Sequence, residues 1–313
     1  MKLLDDFAAF ISRKTGIRNL DLIKRDVLLH AILYDIYSGD LGDILLFKGG
    51  SCLIKCYLGY YRFSVDLDFT FSRQDLFKGK TRKEIRRIIL RDLLPTIVKD
   101  IAKISSKYNL TFKPELSDRE FFEFERNSRL VIIKLYHDES LIKIQINFTE
   151  DLIYREKSID ANTLLMDVAI SKDERVYFGD FLTFYRPIKV RAYDPREIAA
   201  EKIRAILTRR GLKIADVIDL FALYKKGLIQ LDEKLRRDAV RKVLFGVRES
   251  RRYLKNLMRW RPIQPSGLKL PQTLIKPINI SELRIFLYDL NAFLENTRDH
   301  IKTENSKNQN TKP

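Results

Sequence analysis

An apolar run, Ile44-Leu45-Leu46-Phe47, leads into Lys48-Gly49-Gly50-Ser51, and a helix-like stretch from Cys52 to Gly59 separates these residues from Asp66-Leu67-Asp68-Phe69. This spacing constrains the fold more than any other feature. It predicts a strand ending in a tight turn, a helix, and a second strand. Residues i and i+2 of a strand leave the same face, so Asp66 and Asp68 point one way while Leu67 and Phe69 turn into a core. Two carboxylates on one face repel unless a cation lies between them, and a hard divalent ion such as Mg2+ suits oxygen ligands. A Gly-Gly-Ser turn at a helix start offers backbone N–H groups and a hydroxyl to phosphate. A phosphate cradle beside a metal-binding carboxylate pair is the equipment for nucleotidyl transfer.

The 313 residues give one to two domains' worth of chain, and a hydrophobic content of 45% is ample for a core. Lys and Arg (59) outnumber Asp and Glu (42), for a net charge of +17, which points to a polyanionic partner, nucleic acid first. No apolar run approaches the ~18 residues of a membrane helix. The N-terminal residues carry acids early and lack a signal-peptide pattern, so a cytoplasmic protein is expected. Cys52 and Cys56 lie four apart in a predicted helix and read as small core residues rather than a zinc knuckle or a disulfide. His30, His137 and His300 are scattered and form no ligand set.

Helical periodicity predicts amphipathic helices over 2–14, 20–38 and, with many basic residues, 82–106. Gly79-Lys80-Thr81 lacks the earlier glycine of a P-loop and reads as the loop before that basic helix. Alternating segments at 119–126, 129–136 and 141–149 predict antiparallel strands. A short strand near 188–193 ends at Asp194-Pro195, a helix start with Asp as N-cap and Pro at the first helical position. From there helices are expected over 195–209, about 213–225, 232–258 with breaks, and 280–300. The expected organisation is a mixed α/β lobe over 1–190, a helical lobe over 191–301 and a disordered polar tail over 302–313.

Lys48-Gly49-Gly50-Ser51, Arg62-Phe63-Ser64 and Asp66-Leu67-Asp68-Phe69 together resemble the AbiEii/AbiGii toxin-type nucleotidyltransferases of the DNA polymerase-β-like superfamily. The resemblance continues at Pro195-Arg196-Glu197-Ile198-Ala199-Ala200-Glu201-Lys202-Ile203-Arg204-Ala205. It reappears at Ala215-Asp216-Val217-Ile218-Asp219-Leu220, so it spans roughly residues 20 to 225. It implies an α+β fold: a polymerase-β-like mixed sheet with helices, followed by a helical C-terminal lobe, with NTP held in a cleft. It also implies a toxin of a toxin–antitoxin or phage-defence system, with a possible antitoxin partner. The acceptor implied by the analogy and by the basic charge is RNA, with the tRNA 3′ end the leading candidate.

The site residues follow from the same motifs. Asp66 and Asp68 would hold one or two Mg2+ (or Mn2+) ions that bridge the triphosphate. Ser51 would bind phosphate through its hydroxyl and N–H, with Gly49 and Gly50 allowing close approach. Lys48 and Arg62 are further nucleotide-binding candidates, and both Lys48 and Lys55 could equally be surface lysines. The resemblance makes Lys202 a triphosphate contact, Asp216 a site residue and Asp219 more structural. Two departures stand out: the family's Arg before the first Asp is Ala215, and the strand position where a third acid is common holds Gln145. Glu150 or Asp216 could take its place as base, which leaves the general base open. Two rival readings are a protein or small-molecule acceptor, and a non-catalytic NTP- or RNA-binding protein. The stretches Arg82–Arg91, Arg236–Lys242 and Arg248–Arg261, the last with Tyr253 and Trp260, are candidate linings of an RNA groove.

Overall fold

The computed structural model describes residues 2–126, 128–249 and 251–310. In chain order the elements are α1 (Lys2–Thr15), α2 (Leu20–Ser38), α3 (Leu41–Ile44), β1 (Leu45–Lys48), α4 (Gly49–Cys52) running into a π-helical stretch (Leu53–Leu58), and β2 (Asp66–Phe71). There follow α5 (Arg82–Ile88), a second π-helical stretch (Ile89–Leu93), α6 (Leu94–Lys107), β3 (Phe122–Glu125), β4 (Leu130–His137), β5 (Ser140–Asn147) and β6 (Lys157–Ala161). The rest are α7 (Lys172–Tyr177), α8 (Gly179–Phe184), β7 (Ile188–Ala192), α9 (Pro195–Thr208), α10 (Ile214–Lys225), α11 (Glu233–Glu249), α12 (Arg251–Arg259) and α13 (Ile280–Asn310).

The chain divides into two compact units. Residues up to Glu150, with Glu156–Ala192, form the first; Asp151–Arg155 and the residues from Tyr193 onward form the second. A boundary at 190 leaves 151–155 in the first lobe, whereas here this segment joins the second unit. Long-range contacts that sequence periodicity does not register explain it. Glu197 accepts hydrogen bonds from the Ile153 and Tyr154 N–H groups at 3.0 and 2.8 Å, and Arg241 pairs with Asp151 at 2.6 Å.

The first unit is α+β. Its seven-stranded sheet has the order β3-β4-β5-β2-β1-β7-β6. β1 runs antiparallel to β2 and parallel to β7, β2 runs parallel to β5, and the β3–β4, β4–β5 and β6–β7 pairs are antiparallel. Leu67 and Phe69 are fully buried, and their neighbours Asp66 and Asp68 are half-buried, as the period of two requires. Ile142, Ile144 and Ile146 of β5 are likewise buried. β6, α7 and α8 carry no strong sequence pattern and are not anticipated by it. α8 and the segment before it are held by aromatic packing on α1, with Phe7 4.6 Å from Phe181 and Phe10 4.8 Å from Phe178 between ring centroids. Thr81, at the end of the P-loop-like stretch, caps α5 by exchanging hydrogen bonds with Glu84.

The second unit is helical. α9 begins where Asp194-Pro195 predicts, with the Asp194 carboxylate accepting from Arg196 N–H at 2.9 Å. It lies against α10, α11 and α12. α13 continues to Asn310, past Lys302 where the polar composition predicts disorder. Its last turns are supported locally, Lys302 pairing with Asp299 at 2.9 Å and the Thr303 hydroxyl bonding the Asp299 carbonyl. Residues 311–313 lie outside the described residues. Among the described residues no helix is long and apolar enough to cross a membrane.

Candidate active site

In the first unit, β1 and β2 bring the three short motifs together. The antiparallel register sets Lys48 opposite Asp68. β1 then stops at Gly49, whose φ of +74° lies in the left-handed region that a side chain disfavours. The glycine is demanded by space as well: a Cβ there would stand 2.2 Å from Asp68 Oδ2. At Gly50 a Cβ would stand 2.6 Å from Arg62 Nη2 and 3.1 Å from Ser64 Oγ. The Asp68 carboxylate thus overhangs one glycine, and the Arg62 guanidinium and Ser64 hydroxyl overhang the next. Lys48-Gly49-Gly50, Arg62-x-Ser64 and Asp66-x-Asp68 are one cluster, at the start of the helix that spans 49–58. The first N–H groups of a helix have no partner inside it, so this is where an anion is best received.

Ser51 differs from expectation. It is buried, and its hydroxyl donates to the Asp66 carbonyl. The hydroxyl ties the helix to β2, and its single proton is used in doing so. Arg62 is buried too, with Nη1 donating to the Phe63 carbonyl at 2.7 Å. Lys55 is no surface lysine: it is 2% exposed and pairs with Asp26 at 2.8 Å. Tyr60 and Tyr185 complete that network, the Tyr185 hydroxyl donating to Asp26 at 2.7 Å. Beside it His30 is fully buried, and burial first, then the Lys55 charge, push its pKa down to about 3. Cys52 and Cys56 are buried thiols that are not joined in a disulfide.

The third-acid position resolves cleanly. In the parallel β2–β5 register Asp68 lies beside Gln145 and Asp66 beside Lys143. A neutral amide and a cation therefore flank the carboxylate pair on the β5 side. Glu150 is not nearby in register, since β5 has already passed Asn147, the partner of Thr70. It is buried, and its Oε2 accepts from Asn147 Nδ2 at 2.9 Å. Among the described residues no group of three or more His, Cys, Asp or Glu side chains is placed to hold a metal ion. The oxygen donors that suit a hard cation are Asp66 and Asp68.

In the second unit, Lys202 of α9 meets both acids of α10, at 2.9 Å from Asp216 Oδ1 and 2.6 Å from Asp219 Oδ2. All three are buried. Ala215 brings no charge, and the guanidinium beside Asp216 is that of Arg209, at 2.8 Å. Sequence reasoning misses Arg209, although its place at the end of α9, one turn before α10, is the available signal. Burial raises the Asp216 pKa, but the Lys202 and Arg209 charges outweigh it and hold it below the usual carboxylate value. A carboxylate so held is a poor proton acceptor at neutral pH. Glu201 is half-buried beside Arg204 (3.4 Å) and Lys242 (3.6 Å), so it too is tied into the charge network of the second unit. Lys242, in one of the candidate RNA-binding stretches, is fully buried and pairs with Glu197, so it presents nothing to solvent. Burial raises the Glu197 pKa.

The family model described as the AbiEii nucleotidyl transferase toxin of a type IV toxin–antitoxin system matches residues 31–303. Among solved structures the chain is similar to MenT4, a nucleotidyltransferase toxin from Mycobacterium tuberculosis. The identity is 21%, the alignment covers 93% of this chain and 92% of that one, and the TM-score is 0.50. No curated protein sequence matches.

Proposed function

The chain belongs to the AbiEii family of nucleotidyltransferase toxins, and from that premise we propose that it moves a nucleoside monophosphate from an NTP to RNA, with the tRNA 3′ end as the acceptor and Mg2+ or Mn2+ as the cofactor. The observation that carries this reading is the glycine cradle, with Asp68 over Gly49 and Arg62 with Ser64 over Gly50. With no Cβ at either position, the Asp68 carboxylate and the Arg62 guanidinium close directly onto the turn, which sets a metal-binding oxygen and a phosphate-binding cation at the start of the helix. Lys48, Gly49, Gly50 and Ser51 are proposed to receive the triphosphate, Ser51 through its N–H, with Arg62 fixing the cradle's charge. Asp66 and Asp68 are proposed to hold the ion. When bound, it would supply charge stabilisation at the reacting phosphate.

Gln145 cannot take a proton and Glu150 lies beyond the paired part of β5, so the carboxylates at the cradle that could accept the proton of the acceptor hydroxyl are Asp66 and Asp68. For Lys202 and Asp216 the support is the family motif they stand in and their mutually held charges. The low Asp216 pKa argues for positioning Lys202 rather than for acting as a base. RNA as acceptor is supported by the net charge of +17. The test is incubation of the protein with Mg2+, each labelled NTP in turn, and total RNA, followed by gel separation. Label in a discrete RNA band is the expected result. Label on a protein or a small molecule, or none at all, would overturn the assignment of the acceptor.

A further inference from the structure

A cavity of about 390 Å3 opens in the second unit between the end of α9 and the chain that follows α12. Arg209 and Arg210 line it from one side, Arg259 and Arg261 from the other, and no Asp or Glu is among the described residues that line it. All four arginines are exposed. The two sides are fastened to each other, since Asn256 Nδ2 donates to the Thr208 carbonyl at 2.8 Å. Trp260 forms the floor: it is buried, and Arg298 covers its ring at 5.6 Å. Its indole is thus a support rather than a stacking platform, contrary to the expectation for the Arg248–Arg261 stretch. Like charges gathered on a braced frame, with no acid lining the same cavity, are a standing receptor for an anion. Guanidinium is the group that matches phosphate oxygens two at a time.

We propose that this pocket binds the phosphodiester backbone of the RNA acceptor, at a site separate from the glycine cradle. The proposal rests on the reading of RNA as acceptor. A backbone fits better than a free nucleotide because the arginines are open to solvent and the indole is covered, which leaves charge but no base-stacking surface. The site holds the acceptor without reading its sequence. Arg209 also touches Asp216, so the pocket and the Lys202 cluster share one side chain.

The experiment measures binding of a fluorescent single-stranded RNA of random sequence to the full chain across about 50–200 mM salt. Arg210→Gln with Arg259→Gln is compared with Lys276→Gln with Arg284→Gln, an equal loss of charge at exposed residues that do not line the pocket. The pocket pair should weaken RNA binding roughly tenfold and flatten the plot of log affinity against log salt by about 0.7 for each phosphate no longer neutralised. The distant pair should do much less, and affinity for ATP should be unchanged in both. Equal effects of the two pairs would overturn the pocket while leaving RNA as acceptor intact. Loss of ATP affinity in the pocket pair alone would reassign the cavity to free nucleotide and overturn it too. No RNA binding by the unaltered chain would remove both the site and the reading beneath it. Thermal melting identifies a variant that fails to fold, and Arg210→Lys with Arg259→Lys, which retains charge, should then recover most of the affinity.

Discussion

The two units hold their acids in opposite ways. On β2 of the first unit, Asp66 and Asp68 sit side by side, half-buried, with Lys143 and Gln145 next to them in register. On α10 of the second, Asp216 and Asp219 are buried and Lys202 lies within 2.9 Å of each, with Arg209 on the outer oxygen. The first pair has like charges on one half-open face of a strand, beside a glycine turn, an arrangement in which an added cation would be favoured. The second is already balanced by its own bases, an arrangement that gains by staying closed. The same residue types, at similar spacing, are thus left half-open on a strand in one unit and closed into ion pairs between helices in the other. What separates them is which cations the fold delivers to the carboxylates.

Substitutions at β2 should show the largest effect. Asp66→Asn and Asp68→Asn should each reduce transfer by about a thousandfold, because several kcal/mol of charge stabilisation is removed and each ~1.4 kcal/mol is a factor of ten in rate. Thermal stability should change little. Single-turnover assays with a melting curve for each variant decide it, and transfer within tenfold of the parent would break the contrast from the side of the first unit.

Lys202→Ala should act mainly on folding. It leaves two buried carboxylates without their shared cation, which costs on the order of 3–5 kcal/mol. Adding Asp216→Asn and Asp219→Asn should restore much of that stability without restoring transfer. Urea unfolding of the single and triple variants measures it. A Lys202→Ala protein of parental stability would show that the charges of the second unit are not mutually held. Glu201→Ala is no neutral control, since it strips a partner from Arg204 and Lys242.

The two glycines offer a finer test within the cradle. Gly49→Ala should cost roughly 1–3 kcal/mol in strain and lower transfer about a hundredfold, since the new methyl displaces Asp68 and the backbone is left-handed. Gly50→Ala should cost less, because the atom it meets ends the long Arg62 side chain, which can move. Equal losses at the two positions would mean that Arg62 is as fixed as Asp68, which melting curves and transfer rates together resolve.

The last effect is absent at neutral pH and emerges only in acid. His30 has a folded pKa of about 3 against an ordinary 6.5, so the unfolded chain binds the extra proton first. Its contribution to stability is full above about pH 6.5 and is lost as pH falls toward 3. Asp216 has its pKa lowered from 3.8, so its contribution is present above that value and is lost only below it. The first unit should therefore soften at a higher pH than the cluster of the second. His30→Gln should flatten the decline between about pH 6.5 and 4 in urea unfolding measured across pH. An unchanged slope would place the acid sensitivity elsewhere.

The sequence alone determined what depends on neighbours along the chain. The period of two sends Asp66 and Asp68 to one face and Leu67 and Phe69 to the other. Asp194-Pro195 starts α9, and the Gly-Gly-Ser turn interrupts an apolar strand, because these are properties of local dihedrals and spacing. Its motifs also placed the chain among the nucleotidyltransferase toxins. Only the tertiary structure decided what depends on partners distant in sequence. Strand register put Gln145 beside Asp68. Close approach explained why both Gly49 and Gly50 are needed. Burial moved Lys55 from a possible surface lysine to an internal pair, packing set Lys202 between Asp216 and Asp219, and the charge missing at Ala215 is supplied by Arg209, which no local pattern announces. A lysine in a helix reads the same whether solvent or a carboxylate faces it, and only the packing of other elements against that helix settles which.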